Sequence, residues 1–320
     1  MRENKAKINI SIVIPIYNEA DNINLLYLEI REVFSYTNRT FEIIFVNDSS
    51  NDGSLLLLKD IAKRDKRVKI ISFPRNFGQT AALSAGIDHA MGEIIIPMDG
   101  DLQNDPSDIP LLVEKIEEGY SVVSGWRKNR KDNILRVIPS IIANIIIKKF
   151  TGVRISDNGC SLKAYRREVI EGVQLYGEMH RFISIYAAWS GGKVTEIVVN
   201  HRPRKFGKSK YGYSRIFKVL LDLMVVKFLH KYISRPIHFF GKYGFWVVAI
   251  GFFVELVAVI WKIFYHRSFI STPLPQIGIM CVIVGFQFIF TGIIAELLMR
   301  TYYESQNLKS YRIKEMINIK

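Results

Sequence analysis
The sequence predicts an α/β protein: a mostly parallel, doubly wound sheet, followed by helices that lie on and cross a membrane. Three observations carry this. Short β-branched runs alternate with helical segments through the first hundred or so residues. Those runs are continuously apolar rather than alternating, as in strands covered on both faces. The last third holds two apolar runs, Tyr243 to Tyr265 and Ile277 to Met299, each 23 residues and long enough to span the hydrocarbon with some tilt.

Composition agrees. The chain has 320 residues, 49% of them hydrophobic, and a mean hydropathy of +0.12. A formal charge of +14 suits nucleic acid, anionic lipid or a phosphate-bearing substrate. No nucleic-acid-binding motif accompanies it, and the apolar runs favour lipid and phosphate. Cys160 and Cys281 have no CxxC or metal spacing, which fits a reduced compartment. Met1 to Lys7 is polar and runs straight into a strand pattern, so the first domain is expected in the cytoplasm.

Ile8 to Ile16 is the first strand, and it stops at Tyr17-Asn18-Glu19. A helix follows with Ile23, Leu26, Ile30 and Val33 on one face. Glu42 to Asn47 is the second strand, ending in the turn and cap residues Asp48-Ser-Ser-Asn-Asp52-Gly53. Leu55, Leu58 and Ile61 give the next helix its buried face. Val68 to Phe73 is a third strand, followed by Pro74-Arg75-Asn76-Phe77-Gly78-Gln79 and a small-residue helix, Thr80 to Ala90. Glu93 to Met98 is the fourth, and it runs into Asp99-Gly-Asp101-Leu-Gln103. Right-handed crossovers place the carboxyl ends of such strands on one edge, where open α/β sheets bind ligands. Two carboxylates there suit Mg²⁺ or Mn²⁺, ions that share their coordination with substrate phosphates. No G-x-G-x-x-G follows the first strand, which excludes a dinucleotide-binding oxidoreductase.

A strand over Tyr120 to Gly125 precedes the cations Arg127, Arg130, Lys131 and Arg136. The apolar stretch 139–150 then reads as a buried helix or one at the bilayer interface. Asp157 stands in a polar turn, Ser156 to Ser161, and Glu178 to Phe182 opens another helix. His201 to Tyr211 is a cationic loop broken by Pro203 and Gly207. Ser214 to Tyr232 is amphipathic, with Ile216, Leu220, Leu223, Val226 and Leu229 on one stripe, and suits the interface. Lysines and arginines flank both apolar runs on their outer sides, placing both termini in the cytoplasm. Glu255, mid-span, is expected to pack against a neighbouring helix in a homo-oligomer. The divisions are thus 1–213 for the soluble domain, 214–242 for the juxtamembrane helix and linker, 243–299 for the hairpin and 300–320 for a cytoplasmic tail.

Four motifs in this order and spacing, Pro15-x-Tyr17-Asn18-Glu19, Val46 to Gly53, Arg75-Asn-Phe-Gly78 and Asp99-Gly-Asp101-Leu-Gln103, resemble a glycosyltransferase family 2 domain of GT-A fold. The likeness runs from residue 8 to about 215, and is nearest to the polyprenyl-phosphate glycosyltransferases, the bactoprenol glucosyltransferases and dolichyl-phosphate mannose synthases. It implies that Pro15, Tyr17, Glu19 and Asp48 hold the nucleoside of a sugar nucleotide, UDP rather than GDP, with Arg75 nearby. Where many members have two adjacent aspartates, this chain has Asn47-Asp48, which puts the weight on Asp48. Asp99, Asp101 and Gln103 would handle Mg²⁺ or Mn²⁺ and the diphosphate.

By the same resemblance, Arg127, Arg136 and Ser140, then Arg204, Ser209 and Lys210, contact the acceptor phosphate, and a planar guanidinium suits that grip. Asp157 is implied as the catalytic base, with His180 and Arg181 near the donor sugar or diphosphate. A phosphate monoester has a second pKa of about 6 and is already mostly anionic, so it hardly needs a base. Asp157 would then orient the acceptor or stabilise positive charge at the anomeric carbon. The implied reaction is inverting transfer of one sugar, glucose or similar, from its UDP donor to undecaprenyl or another polyprenyl phosphate. It would occur on the cytoplasmic face of a bacterial or archaeal membrane. The alternatives are a glycan-extending transferase acting on a sugar hydroxyl and a non-catalytic scaffold of a lipid-sugar translocation complex.

Overall fold
The structure, a computed structural model, describes residues 8–128, 144, 147–148, 151–153, 155–171, 182–203, 236–265, 268–304 and 311–319. Arg136, Ser140, His180, Arg181, Arg204, Ser209, Lys210 and the amphipathic segment 214–232 lie outside these residues. The chain forms two compact units: Met1–Val226 with Lys309–Lys320, and Lys227–Leu308.

In the first unit the β-branched runs form strands and the periodic segments form helices. The order is β1 (Ile10–Ile16), α1 (Ala20–Ser35), β2 (Phe41–Asn47), α2 (Ser54–Arg64), β3 (Val68–Ser72), α3 (Gln79–Asp88) and β4 (Ile94–Pro97). Then come α4 (Ile109–Glu117), β5 (Val122–Trp126), β6 (Lys163–Arg166), the single turn α5 (Arg167–Ile170), α6 (Ile183–Trp189) and β7 (Val194–Val198). These strands and β8 (Glu315–Ile317) make one eight-stranded sheet in the order β7-β5-β6-β4-β1-β2-β3-β8. The four central strands β3, β2, β1 and β4 are mutually parallel, whereas β6 and β8 run against their neighbours.

Helices cover both faces, as continuously apolar strands require. Ile10, Ile12, Ile14 and Ile16 of β1 join Ile23 and Leu26 of α1, Leu58 of α2 and Leu112 of α4 in one core cluster. Val13 faces the other way, with Val46, Ile71 and the alanines of α3. The small residues of α3 have a structural reason. A Cβ added at Gly86 would fall 2.2 Å from Val13 Cγ1 and 3.2 Å from Val46 Cγ2, so helix backbone lies against the sheet.

Residues 300–320 hold more than a tail. Glu315–Ile317 pairs antiparallel with β3, with Ile71 opposite Met316, and Asn318 Nδ2 donates to the carbonyls of Ala62 and Val68, both at 2.8 Å. Lys59 pairs with Glu315 at 2.7 Å.

The second unit is a helical hairpin of α7 (Pro236–Tyr265) and α8 (Leu274–Glu304), the spans expected from the apolar runs. Phe245, Phe253, Ile263, Met280, Ile294 and Leu298 are all exposed on it. So much contiguous exposed apolar surface suits lipid rather than water. Added Cβ atoms at Gly244 and Gly285 would each lie within 2.8 Å of the other's carbonyl oxygen, and Gly251 approaches Gly278 O as closely, so glycines set the helix contact. Glu255 rests against Gly278 of its own hairpin, where an added Cβ would stand 2.6 Å from Glu255 Oε1.

The Gly86 contact gives a test of the first unit. Gly86→Val forces extra volume between α3 and β1 and should destabilise the domain by about 1–3 kcal/mol, read as a lower Tm in thermal unfolding of the purified chain.

Candidate active site
The register brings the strand ends level. Ile16 of β1 pairs with Asn47 of β2, and Asn47 with Ser72 of β3. β4 ends at Pro97, opposite Val13, so the next residues climb beside the end of β1. Gly100 shows how closely. A Cβ there would meet Ile16 Cδ1 at 2.7 Å and Pro15 O at 3.4 Å, so a larger residue between Asp99 and Asp101 would displace the Ile16 side chain.

The first two loops are laced together. Asn18 takes a left-handed φ of 54°, which asparagine tolerates better than most residues. Its backbone N–H donates to Ser50 Oγ at 3.0 Å and its Oδ1 accepts from Asn51 N at 2.9 Å. Glu19 N donates to Ser54 Oγ at 3.1 Å, and the Glu19 carboxylate accepts from Asn22 Nδ2 at 2.6 Å. Pro15 is partly covered in β1, and Tyr17 is left exposed at the edge.

Asp48, at the end of β2, is 3% exposed. Its Oδ1 accepts from Phe77 N at 2.7 Å and its Oδ2 from Gly78 N at 2.9 Å, so this carboxylate shapes the third loop. Gly78 has a φ of 92°, a conformation that favours glycine. Arg75 is exposed and lies over the Phe77 ring, 4.5 Å from its centroid. Gln79, the first residue of α3, donates from Nε2 to Asp99 Oδ1 at 2.8 Å.

Asp101 is 9% exposed and accepts from Gln103 N at 3.1 Å across Leu102, which has a φ of 62°. A buried leucine in that conformation is costly, and such strain gathers at functional sites. Two carboxylates at one strand end suit a hard divalent cation that takes its remaining oxygens from phosphate and water. Among the described residues no three His, Cys, Asp or Glu side chains gather into an all-protein cage.

The second half of the edge adjoins this segment. Asn104 Nδ2 donates to Ser161 Oγ at 2.7 Å, and Asn104 forms an antiparallel bridge with His201. Arg202 N donates to Gln103 O at 2.9 Å, and its guanidinium pairs with Glu29 at 2.8 Å and Asp105 at 2.7 Å. The start of the cationic loop is therefore pinned beside Gln103. Because β6 is antiparallel to β5, the turn before Lys163 also lies on this edge.

There the structure joins two residues that the sequence reading assigned to separate roles. Arg127 grips Asp157 with Nε on Oδ2 at 2.7 Å and Nη2 on Oδ1 at 3.0 Å. Gly159 N adds a bond to Oδ1 at 3.1 Å, and Asp157 is only 4% exposed. Beside them Lys163, 2% exposed, donates from Nζ to Asn158 O at 3.2 Å. Burial pushes the Cys160 thiol up to about 11, so it is no nucleophile at neutral pH.

Gln79, Lys163 and Arg202 were not singled out from the sequence. Only Lys163 left a signal, a lysine inside the apolar run Leu162 to Tyr165.

This architecture is GT-A-like. Glucosyl-3-phosphoglycerate synthase from Mycobacterium tuberculosis, solved with Mn²⁺, UDP-glucose and phosphoglyceric acid, superposes with a TM-score of 0.55 at 18% identity, over 70% of this chain and 81% of that one. Mannosyl-3-phosphoglycerate synthase from Rubrobacter xylanophilus gives 0.55 at 12% identity, over 69% and 74%. The family profile "Glycosyl transferase family 2" matches residues 11–173, and the chain belongs to that family: it is a glycosyltransferase. It is 41% identical, over 97% of its length and 94% of the relative's, to the dodecaprenyl-phosphate galacturonate synthase of Rhizobium johnstonii. It is 33% identical, over 96% and 93%, to the undecaprenyl-phosphate 4-deoxy-4-formamido-L-arabinose transferase of Klebsiella pneumoniae.

Burial raises the Asp48 carboxyl above its ordinary value, against the Phe77 and Gly78 hydrogen bonds, which lower it. The sign follows. A raised folded-state value means that acidification protonates Asp48 before an ordinary aspartate. Its ionisation opposes folding, and that opposition fades as pH falls through the raised value. The expected outcome is that the Phe77 and Gly78 amides lose exchange protection on acidification at a pH above the usual aspartate range, after correction for intrinsic rates. Asp48→Asn should show no such step.

Proposed function
We propose that this chain transfers one sugar, with inversion, from a nucleotide-diphosphate sugar to the phosphate of a long-chain polyprenol. UDP-glucose or a similar UDP-sugar is the donor, undecaprenyl phosphate is the acceptor, and the reaction runs on the cytoplasmic face of the membrane. The relatives' names support the acceptor class. The observation that carries the reading is the placement of two charged stations on one sheet edge. Asp99 and Asp101 follow β4, and the Arg127–Asp157 pair follows β5, with only β6 between those strands. Two inter-strand steps are roughly 10 Å, a gap that a sugar and its two phosphate partners can fill.

On the donor side, Asp48 shapes the Phe77–Gly78 loop after β3 and Tyr17 stands exposed after β1, on the same sheet edge, which suits a nucleoside. Gln79 fixes the direction of Asp99. Mg²⁺ or Mn²⁺, held by Asp99 and Asp101 with Gln103, would neutralise the departing diphosphate. On the acceptor side, Arg127 offers a planar fork to phosphate oxygens, and Asp157 holds that fork in place. Arg136, Ser140, Arg204, Ser209 and Lys210 are proposed as further phosphate contacts, and His180 and Arg181 as donor-side groups. The acceptor oxygen is already anionic, so positioning and charge stabilisation provide the catalysis.

This reading makes Asp157 a positioning residue. Both its oxygens are engaged by Arg127, which leaves it poorly placed to deprotonate a hydroxyl and disfavours the glycan-extending alternative. Membership of a transferase family speaks against the scaffold reading.

The test uses the full chain in detergent with Mn²⁺ or Mg²⁺ and a panel of labelled UDP- and GDP-sugars, with and without undecaprenyl phosphate. Label in mild-acid-labile lipid for one donor is the expected result. Donor hydrolysis without lipid product would point to another acceptor, and no turnover at all would overturn the proposal. Asp101→Ala should abolish metal-dependent transfer. Asp157→Asn should raise the KM for lipid phosphate by about tenfold, the loss of a charge-assisted contact, with the pH profile of kcat unchanged; a titrating limb that vanishes in the variant would make Asp157 the base.

A further inference from the structure
The segment after the second apolar helix is built into the sheet at a place that bears on the donor loop. Tyr311 is 5% exposed, and its ring stacks on Phe73 with centroids 5.6 Å apart and planes at 19°. Phe73 in turn meets Phe77 edge-on at 5.5 Å. Phe77 and the next residue, Gly78, are the two whose amides grip Asp48, and Gln79 after them orients Asp99. The Tyr311 hydroxyl donates to Asp88 Oδ2 at 2.6 Å, at the last residue of the helix that Gln79 begins. A second route runs through backbone. Lys314 N donates to Ser72 O at 2.8 Å, and Ser72 Oγ accepts from Asn47 Nδ2 at 3.1 Å, one residue before Asp48.

We propose that Tyr311 is a positioning residue of the donor site, its ring setting the Phe73–Gln79 loop that shapes the nucleotide end of the edge. The inference rests on the donor-site reading given above for its functional consequence, but the mechanical link stands on the contacts alone. Rings packed face to face and edge to face transmit position because neither can shift without opening a gap in a close-packed interior. The Asp48 carboxylate holds the Phe77 and Gly78 backbone and Asp99 holds Gln79, while the aromatic stack sets where the Phe77 ring lies. Tyr311 touches no reacting atom and acts through Phe73 and Phe77.

The test compares the full chain with Tyr311→Leu, Tyr311→Phe and Asn318→Ala, all in detergent. Leucine fills much of the volume without the stack or the hydroxyl, phenylalanine keeps the stack, and Asn318→Ala loosens the chain on the far side of β8 from Tyr311. Hydrogen exchange is followed over residues 73–79, and UDP binding is titrated with Mn²⁺. Tyr311→Leu should speed exchange over that loop and weaken UDP by about tenfold, leaving the KM for lipid phosphate unchanged. Tyr311→Phe should restore both within about threefold, and Asn318→Ala should alter neither. Wild-type exchange and UDP affinity in Tyr311→Leu would overturn the inference. So would an equal loss in Asn318→Ala, which would make the strand a source of general stability only. If the unaltered chain binds no UDP while Tyr311→Leu still speeds exchange, the donor reading fails and the link from Tyr311 to the loop survives.

Discussion
A strand buried on both faces can offer chemistry only at its ends, and this chain is organised by that constraint. Ile10, Ile12, Ile14 and Ile16 of β1 face one helical layer and Val13 the other, all without solvent exposure. Parallel neighbours joined by right-handed crossovers finish on the same edge. The strand ends are in register, so the loops after β1, β2 and β3 start from one level, and the carboxylates after β4 rise to meet them. Polar loops then support one another, as Asn18 does Asn51 and Asp48 does Phe77 and Gly78. The opposite edge contains charge of a different kind. There buried Glu42 accepts from Ser11 Oγ at 2.5 Å and Met91 N at 2.6 Å and pairs with Lys69, so its charge is matched within the core.

The edge at the carboxyl ends of the parallel strands separates its charges along the sheet. Carboxylates that suit a cation stand after β4, and cations that suit phosphate stand after β5 and before β6. Arg127 could not remain buried there without a partner, and a bidentate carboxylate is the one that best matches a guanidinium. The same partner fixes the fork's orientation in advance of any ligand, which lowers the ordering cost when an anion arrives. A second acidic set, Glu29 and Asp105, does for Arg202 what Asp157 does for Arg127, and it anchors the start of the cationic loop beside Gln103. Arg127 and Arg202 are thus each held in place by carboxylates.

What the sequence made legible follows from locality. Long β-branched runs and amphipathic helices declare themselves within a window of ten to fifteen or so residues, which is why the ends expected for β1 to β4 and α3 differ from the observed ones by only a residue or two. Asp99 and Asp101 are proposed as site residues because strand ends in such sheets are known places for ligands. The pairing of Arg127 with Asp157 was not, because it spans thirty residues and depends on β6 running against β5. β6, β7 and β8 were missed for a related reason. Lys163–Arg166 is short and carries charge at both ends, and Glu315–Ile317 is three residues in a polar segment, so only pairing with an existing sheet makes either a strand.

That last strand has a consequence for the membrane. The first compact unit contains residues from both before α7 and after α8, because β8 completes the sheet begun by β1 to β4. A folded sheet lies wholly on one side of a bilayer, so the chain between its parts must cross an even number of times. The two apolar helices satisfy that count with a connection of only eight residues, Tyr265 and Leu274 excluded. The return strand is short and gains little from its own residues, yet the Tyr311 ring just before it is buried against Phe73. Its position is therefore decided by side-chain packing more than by the ladder, and a segment that follows the second apolar helix becomes part of the layer that packs against the Phe73–Gln79 loop.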